Sequence, residues 1–214
     1  MAQSYRHVAG KRLIYGSFVV ALSLAVLVLT IGGIDADNLR RALRLTARFS
    51  FLLFWCAYAG GSLVVLFGDR FRPLAQQGRT FGLAFASAHS IHLVLVVWLY
   101  RLSPEPPIST QGAVFFSIGV LWMYLLALLS IERLSKTLGP RLWRKMRLVG
   151  MEYIMLAFQS DFLFHALPAN AKHLLLYAPF AILGVAGTAF RIASWHESRS
   201  DLQHLIPNRK LINR

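Results

Sequence analysis

Two histidines stand three residues apart inside a strongly apolar stretch of the chain. The stretch GRTFGLAFASAHSIHLVLVVWLYR, residues 78–101, contains His89 and His92. In a helix they would share one broad face, because residues i and i+3 are neighbours on a helix surface. A neutral imidazole is an axial ligand of haem iron, and two facing spans can form a b-type haem site. The alternative is that both rings are hydrogen-bonded residues packed between helices.

A second apolar stretch, LVGMEYIMLAFQSDFLFHAL at residues 148–167, contains polar and ionisable side chains. Glu152 and Gln159 are seven residues apart, which is two helical turns, so they share a face, and Asp161 follows shortly after. Ionisable residues inside a bilayer are costly, so each is a functional hypothesis. The functional interpretation is a proton or quinone pocket. The alternative is that Glu152 is neutral or paired with an arginine and that Asp161 lies at the wet outer interface.

The expected depths of these residues relate the two stretches. His92 lies 12 residues beyond Thr80, which is ~18 Å of helix at ~1.5 Å per residue. The same count from Leu148 reaches Ser160, next to Gln159. The residues of the second stretch at matching depth are therefore polar, but neither is a usual haem ligand.

Long apolar helices are needed to position these side chains, and the composition indicates them. Of 214 residues, 56% are hydrophobic and 15% are charged, whereas a soluble domain has about a quarter charged residues. Apolar runs of roughly 20 residues, enough to cross the ~30 Å hydrocarbon core as a helix, alternate with short basic loops. The sequence predicts an all-α integral membrane bundle of six transmembrane helices. The predicted spans are residues 13–34, 49–68, 81–100, 113–131, 148–167 and 173–195.

The distribution of basic residues predicts the orientation of the bundle. Seventeen of the 23 Lys and Arg residues fall in the N-terminal arm, the second and fourth connections and the C-terminal tail. The positive-inside rule therefore predicts that both termini are cytoplasmic. Anionic lipid is the simplest partner for the net charge of +14, and nucleic-acid binding is disfavoured because the charges lie in loops beside the spans. The six cations on the other side are Arg40, Arg41, Arg44, Arg48, Arg101 and Lys172.

The predicted organisation is one transmembrane domain with short cytoplasmic ends. We expect an N-terminal arm over 1–12, a six-span domain over 13–195 and a basic tail over 196–214. The single cysteine, Cys56, excludes an intramolecular disulfide and a cysteine-based metal or iron–sulfur site. Residues 38–48, NLRRALRLTAR, are either a short amphipathic surface helix or an early start of the second span.

Three fragments carry a resemblance to a known family. They are TARFSFLL at the second span, the start of the third span around Arg79 and Gly82, and the basic loop ERLSKTLGPRLWRKMRLVGMEYI before the fifth span. Over residues 46–195 the chain resembles the ferric-reductase-like transmembrane domain. It is closest to the branch that includes the haem-binding membrane subunit of the bacterial periplasmic methionine-sulfoxide reductase. The resemblance implies a multi-pass protein of the bacterial inner membrane.

The resemblance also implies haem b and indicates its ligands. His92 stands where the family has a haem-ligating histidine in the third span. The family's two histidines of the fifth span correspond here to Met146 and to either Gln159 or Ser160. With His89, these are the candidate haem-binding residues. A flavin and nicotinamide module is not expected, so the electron donor would be a periplasmic or cytoplasmic redox protein or a quinol.

The leading functional prediction is electron transfer across the bilayer through b-type haem. His92 would be an axial ligand, and Gln159, Ser160 or His89 would supply a weak sixth ligand or a hydrogen bond. The basic loop 133–147 would hold haem propionates or a cytoplasmic partner, because Arg and Lys suit carboxylates.

Two other functions remain open. The chain could be a divergent relative without haem, acting as a non-enzymatic membrane subunit or scaffold. It could also be a small proton-coupled transporter that uses Glu152 and Asp161, although the spans show no inverted repeat or broken-helix pair.

Overall fold

The chain folds as a bundle of long helices. The computed structural model describes residues 2–130, 139–166 and 171–205, and their side chains over 9–130, 139–163 and 175–197. No strand occurs in these residues, and the all-α prediction is confirmed for them. The helices are α1 (Ala2–Gly32), α2 (Ala36–Phe67), α3 (Arg72–Gln76), α4 (Gly78–Leu102), α5 (Thr110–Leu129), α6 (Pro140–Ala166) and α7 (Ala171–Leu205).

Five segments of the described residues are long and apolar enough to cross a membrane. They are Ala9–Gly32, Ala36–Phe67, Gly78–Leu102, Thr110–Leu129 and Leu175–Glu197. These segments match the first four predicted spans and the sixth, so the chain has the character of a multi-pass membrane protein. Residues 148–166 of the predicted fifth span lie in α6, which has 27 residues but is not among the five, and residue 167 lies outside the described residues. Its polar residues, Glu152, Gln159 and Asp161, lower its hydropathy.

The second helix begins well before its predicted span. Residues 38–48 form the first turns of α2 and not a separate surface helix. Asp35 caps this helix by accepting a hydrogen bond from the Asn38 backbone N–H at 2.8 Å. The Asn38 side chain also donates to the Gly32 carbonyl and so joins the end of α1 to the start of α2. The 32 residues of α2 extend ~48 Å, which exceeds the ~30 Å hydrocarbon core.

Small residues pack some helices of the bundle closely together, whereas aromatic rings bridge helices that lie further apart. α2 packs closely on α4 and α7, α1 packs on α4, and α6 lies between α5 and α7. Buried alanines, including Ala42, Ala84 and Ala88, allow the backbones of α2 and α4 to approach. Aromatic rings instead bridge the wider gap from α2 and α4 to α6. The ring centroids of Phe51 and Phe158 are 5.2 Å apart.

Two predicted basic segments fall partly outside the described residues. The predicted tail, 196–214, begins as a continuation of α7 to Leu205, and 206–214 lie outside the described residues. Residues 133–138 of the basic loop 133–147 also lie outside them, while α6 begins at Pro140.

Candidate functional site

The two histidines of α4 lie against hydroxyl groups of α2. Nδ1 of His89 is 2.9 Å from Ser50 Oγ. Nδ1 of His92 is 3.2 Å from Thr46 Oγ1 and 3.2 Å from the Leu43 carbonyl oxygen. Thr46 and Ser50 are one helical turn apart on α2, and His89 and His92 are about one turn apart on α4, so the two pairs meet in register. The imidazole rings stack, with centroids 4.7 Å apart and an interplanar angle of 23°.

The neighbouring groups determine which histidine nitrogen carries the proton. The Leu43 carbonyl can only accept a hydrogen bond, so Nδ1 of His92 carries the proton. The hydroxyls of Thr46 and Ser50 each donate to a carbonyl of their own helix, at 2.9 Å. Since Nδ1 of His92 carries a proton, the Thr46 oxygen accepts from it. His92 is therefore the Nδ1–H tautomer, with a lone pair on Nε2. The Ser50 hydroxyl can rotate to accept from Nδ1 of His89 or to donate to it.

The Nε2 atoms could in principle ligate a metal. Within the described residues, neither His89 nor His92 has a hydrogen-bond partner at Nε2. Metal-ligating histidines use this arrangement, in which one ring nitrogen donates to the protein and the other binds the metal. No group of three or more His, Cys, Asp or Glu residues converges in the described part of the chain. A second ligand would therefore have to come from another residue type.

Aromatic rings pack against His89 on the side of α6. The Phe158 ring of α6 meets the His89 ring at a centroid distance of 5.7 Å and an angle of 72°. Phe85 lies 5.3 Å from His89 and 5.9 Å from Phe158, ring to ring. Phe158 also stacks on Phe162 with ring centroids 5.9 Å apart. Four rings thus form a continuous apolar cluster where α4 faces α6.

The other predicted haem-binding residues lie away from the histidine pair. Gln159 Nε2 donates to the Ala181 carbonyl of α7 at 3.3 Å. Ser160 Oγ donates to a carbonyl of its own helix at 2.8 Å. Met146 lies near the start of α6, 12 residues before Phe158, which is ~18 Å along the helix. In the structure, His89 and His92 therefore contact α2, and neither contacts Gln159, Ser160 or Met146.

These residues do not fit a haem held between α4 and α6. The facing helix presents Phe158 to His89, and the side chains of Gln159 and Ser160 bond elsewhere. A cavity of about 250 Å³ between α4, α5 and α6 is lined by Phe54, Phe85, Met123, Met151 and Ile154, among others, and by neither histidine. Sites for drug-sized ligands have volumes of ~300–1,000 Å³, and a haem is at least as large.

Glu152 forms an ion pair, and this pair belongs to a polar network. Arg191 Nε of α7 lies 2.8 Å from Glu152 Oε1. The Tyr58 hydroxyl of α2 donates to Glu152 Oε2 at 2.7 Å, and the Arg191 guanidinium lies 4.5 Å from the centre of the Tyr58 ring. Pairing with an arginine was the predicted alternative to a proton pocket. The network joins α2, α6 and α7.

The three polar residues of α6 do not converge on one cavity. Glu152 and Asp161 are nine residues apart, or ~13.5 Å along the helix. Gln159 points to α7, and its Oε1 is buried without a hydrogen-bond partner in the described residues. Asp161 lies close enough to Arg48 for their charges to attract each other. A shared pocket of Glu152, Gln159 and Asp161 is not formed.

Sequence reasoning missed the partners of these residues. Thr46 and Ser50 have 0% exposed surface. Ser50 lies at the start of the predicted second span and Thr46 one turn before it, and this spacing was a signal that they could meet the two histidines. Arg191 was counted with the cytoplasmic tail by its sequence position. It lies inside the predicted sixth span, four residues before its end, so a place within the bundle was compatible with the sequence.

Comparisons of the chain with models of protein families, with curated proteins and with solved structures give no match. The resemblance to the ferric-reductase-like domain therefore stays a prediction based on the sequence fragments.

Proposed function

We propose that this chain is a six-span membrane protein that works without haem, as a non-enzymatic subunit or scaffold. The observation that supports this most is the aromatic packing against His89. Phe158 of α6 packs on the His89 ring, and Phe85 of α4 packs on both. Interiors packed to this degree resist insertion, because every displaced ring must find a new site.

The proposal includes α6 as the fifth of six spans, with both termini in the cytoplasm. The helix is ~40 Å long at ~1.5 Å per residue and packs between α5 and α7, which both contain candidate spans. The carboxylate of Glu152 is paired with Arg191 of α7, as intramembrane charges require. Six crossings place both termini on the side that carries seventeen of the 23 basic residues. The expected location is the bacterial inner membrane.

The histidine pair has a structural role in this proposal. Each imidazole joins α4 to α2 through a hydrogen bond at Nδ1. Such interhelical bonds contribute ~0.6 kcal/mol on average in a membrane protein, with a maximum of ~1.7 kcal/mol. They have fixed directions, so they favour one register of α4 on α2. Packing of small residues alone would allow neighbouring registers.

Electron transfer through haem is the second candidate, and one observation favours it. The Nδ1–H tautomer leaves Nε2 of His92 with a lone pair, as in a metal-bound histidine. Proton-coupled transport has less support. Glu152 is held by Arg191 and Tyr58, and it shares no cavity with Asp161.

The haem content of the purified protein tests the proposal. The full chain is produced in cells supplied with haem precursor, purified in detergent and assayed for haem per chain after extraction. We expect a content far below one haem per chain. A content near one per chain that is lost in the His92→Ala variant would overturn the proposal and favour electron transfer.

A further inference from the structure

Three arginines of α2 line a groove that the proposed function does not use. Arg41, Arg44 and Arg48 are spaced at i, i+3 and i+7, so they share one face of the helix. They lie along a groove of about 510 Å³ between α1, α2 and the start of α7. This volume is within the ~300–1,000 Å³ typical of small-molecule sites.

The opposite side of the groove is hydrocarbon. Leu27, Val28 and Ile31 of α1 line it, together with Leu45 and Leu176. A ligand that matches both sides must have an anionic group for the arginines and an apolar chain for α1. The surface is therefore complementary to an anionic amphiphile, and less so to a small hydrophilic anion.

Arg48 has hydrogen-bond donors that the described residues do not satisfy. Its guanidinium carbon lies 5.0 Å from the centre of the Tyr177 ring and 5.3 Å from that of Phe180. Its Nε and one terminal nitrogen are buried and have no hydrogen-bond partner among the described residues. Cation–π contacts hold the charge but do not satisfy N–H groups, and unsatisfied buried donors are rare. The Asp161 carboxylate attracts the same guanidinium, but it does not bond these two nitrogens, which leaves them for an acceptor oxygen of a ligand.

The position of the groove along α2 matches lipid headgroups. α2 is ~18 Å longer than the hydrocarbon core, and the groove lies near its first turns. In the proposed orientation this end faces outward, where basic residues are disfavoured. Four of the six cations on that side nevertheless lie within residues 40–48. An anionic partner at that level would account for their concentration.

We propose that this groove binds an anionic phospholipid. Arg41, Arg44 and Arg48 contact its phosphate, and one acyl chain lies along Leu27, Val28 and Ile31. The planar guanidinium matches phosphate oxygens, and these charge-assisted bonds are among the stronger hydrogen bonds in proteins. The site does not depend on whether the protein binds haem.

Ligand-dependent thermal stabilisation of the full chain in detergent tests the lipid site. A ligand that binds only the folded state raises the unfolding midpoint as its concentration rises, which yields Kd. The three probes are phosphatidylglycerol, phosphatidylcholine and inorganic phosphate. We expect the largest upward shift with phosphatidylglycerol and a Kd about tenfold weaker or more in Arg44→Gln, because one charge-assisted bond is lost.

Arg40→Gln is the matched control, since Arg40 lies on the same helix but pairs with Asp37 at 3.0 Å and does not line the groove. It should bind phosphatidylglycerol like the wild type. Arg41→Gln is a second test variant and should also weaken phosphatidylglycerol binding. It is preferred to a change of Arg48, whose loss would also disturb the Tyr177 and Phe180 rings. Equal losses in Arg40→Gln and Arg44→Gln would overturn the proposal. Equal shifts with phosphatidylcholine, or with inorganic phosphate alone, would overturn it too.

Discussion

Nε of Arg191 on α7 lies 2.8 Å from Oε1 of Glu152 on α6. This ion pair connects the most polar helix of the bundle to its last helix, and the Tyr58 hydroxyl connects it to α2 at 2.7 Å. The pair is partly open, because 44% of the Glu152 side-chain surface and 24% of the Arg191 side-chain surface are exposed. Its contribution to stability therefore lies below that of a fully buried pair.

Replacement of Glu152 by Gln should lower stability modestly. The amide keeps a hydrogen-bond acceptor for Tyr58 but loses the charge that pairs with Arg191. We expect a loss of about 1 kcal/mol in unfolding free energy, measured by thermal or denaturant unfolding in detergent. Glu105→Gln, at an exposed position between α4 and α5, is the control and should change stability little. An unchanged stability of Glu152→Gln would show that the ion pair contributes nothing.

The hydrogen bond between His89 and Ser50 should appear as a coupling energy. The single variants His89→Ala and Ser50→Ala and the double variant form a double-mutant cycle. We expect a coupling of ~0.6 kcal/mol, as is typical between membrane helices. A control cycle combines Ser50→Ala with Ser90→Ala, since Ser90 donates within its own helix and not to α2. Additive effects in the first cycle would contradict the hydrogen bond.

A close approach of α2 and α7 depends on Gly187. A Cβ atom at this position would lie 2.8 Å from Trp55 Nε1, and the Trp55 ring is held in place by its hydrogen bond to the Leu183 carbonyl at 2.7 Å. We expect Gly187→Ala to lower stability by ~1–3 kcal/mol through overpacking. Gly61→Ala, where no atom lies within 4 Å of the added carbon, should be neutral or stabilising by up to ~1 kcal/mol. Similar effects of the two variants would contradict the packing of α2 on α7.

The crossing of the membrane by α6 can be tested by labelling. In a Cys56→Ser background, Arg141→Cys lies near the start of α6 and Leu175→Cys near the start of α7, and both positions are exposed. We expect a membrane-impermeant maleimide to label Leu175→Cys in intact cells and Arg141→Cys only after permeabilisation. Labelling of both from the same side would mean that α6 does not cross, which would leave five spans.

The helices were predictable because their signal is local. Apolar runs of span length are sufficient to indicate membrane helices, and each predicted span overlaps a helix of the described residues. The early start of α2 had two interpretations, because the leucines and arginines of 38–48 suit an amphipathic surface helix as well. In the structure, the cap of α2 by Asp35 and the contact of Asn38 with Gly32 make residues 38–48 the start of α2. A single Asp and Asn before an apolar run are too common in sequences to predict these contacts.

The side-chain partners were less predictable because they depend on helix rotation. His89 and His92 were correctly placed on one face, but the sequence did not indicate whether that face meets α2 or α6. Equal depth suggested Gln159 and Ser160 as their neighbours. In the structure α6 is rotated so that Phe158 faces the histidines and Gln159 faces Ala181. A rotation of one residue, ~100°, separates these two outcomes.

The central claim is that the chain binds no haem, because Phe158 and not a ligating side chain of α6 faces His89. Its most direct test is a haem titration of the purified wild type and the His92→Ala variant, followed by reduced-minus-oxidised absorbance spectra. Our account predicts the same weak, unspecific spectrum for both proteins, with no b-type α-band. A saturable b-type α-band in the wild type that disappears in His92→Ala would contradict it.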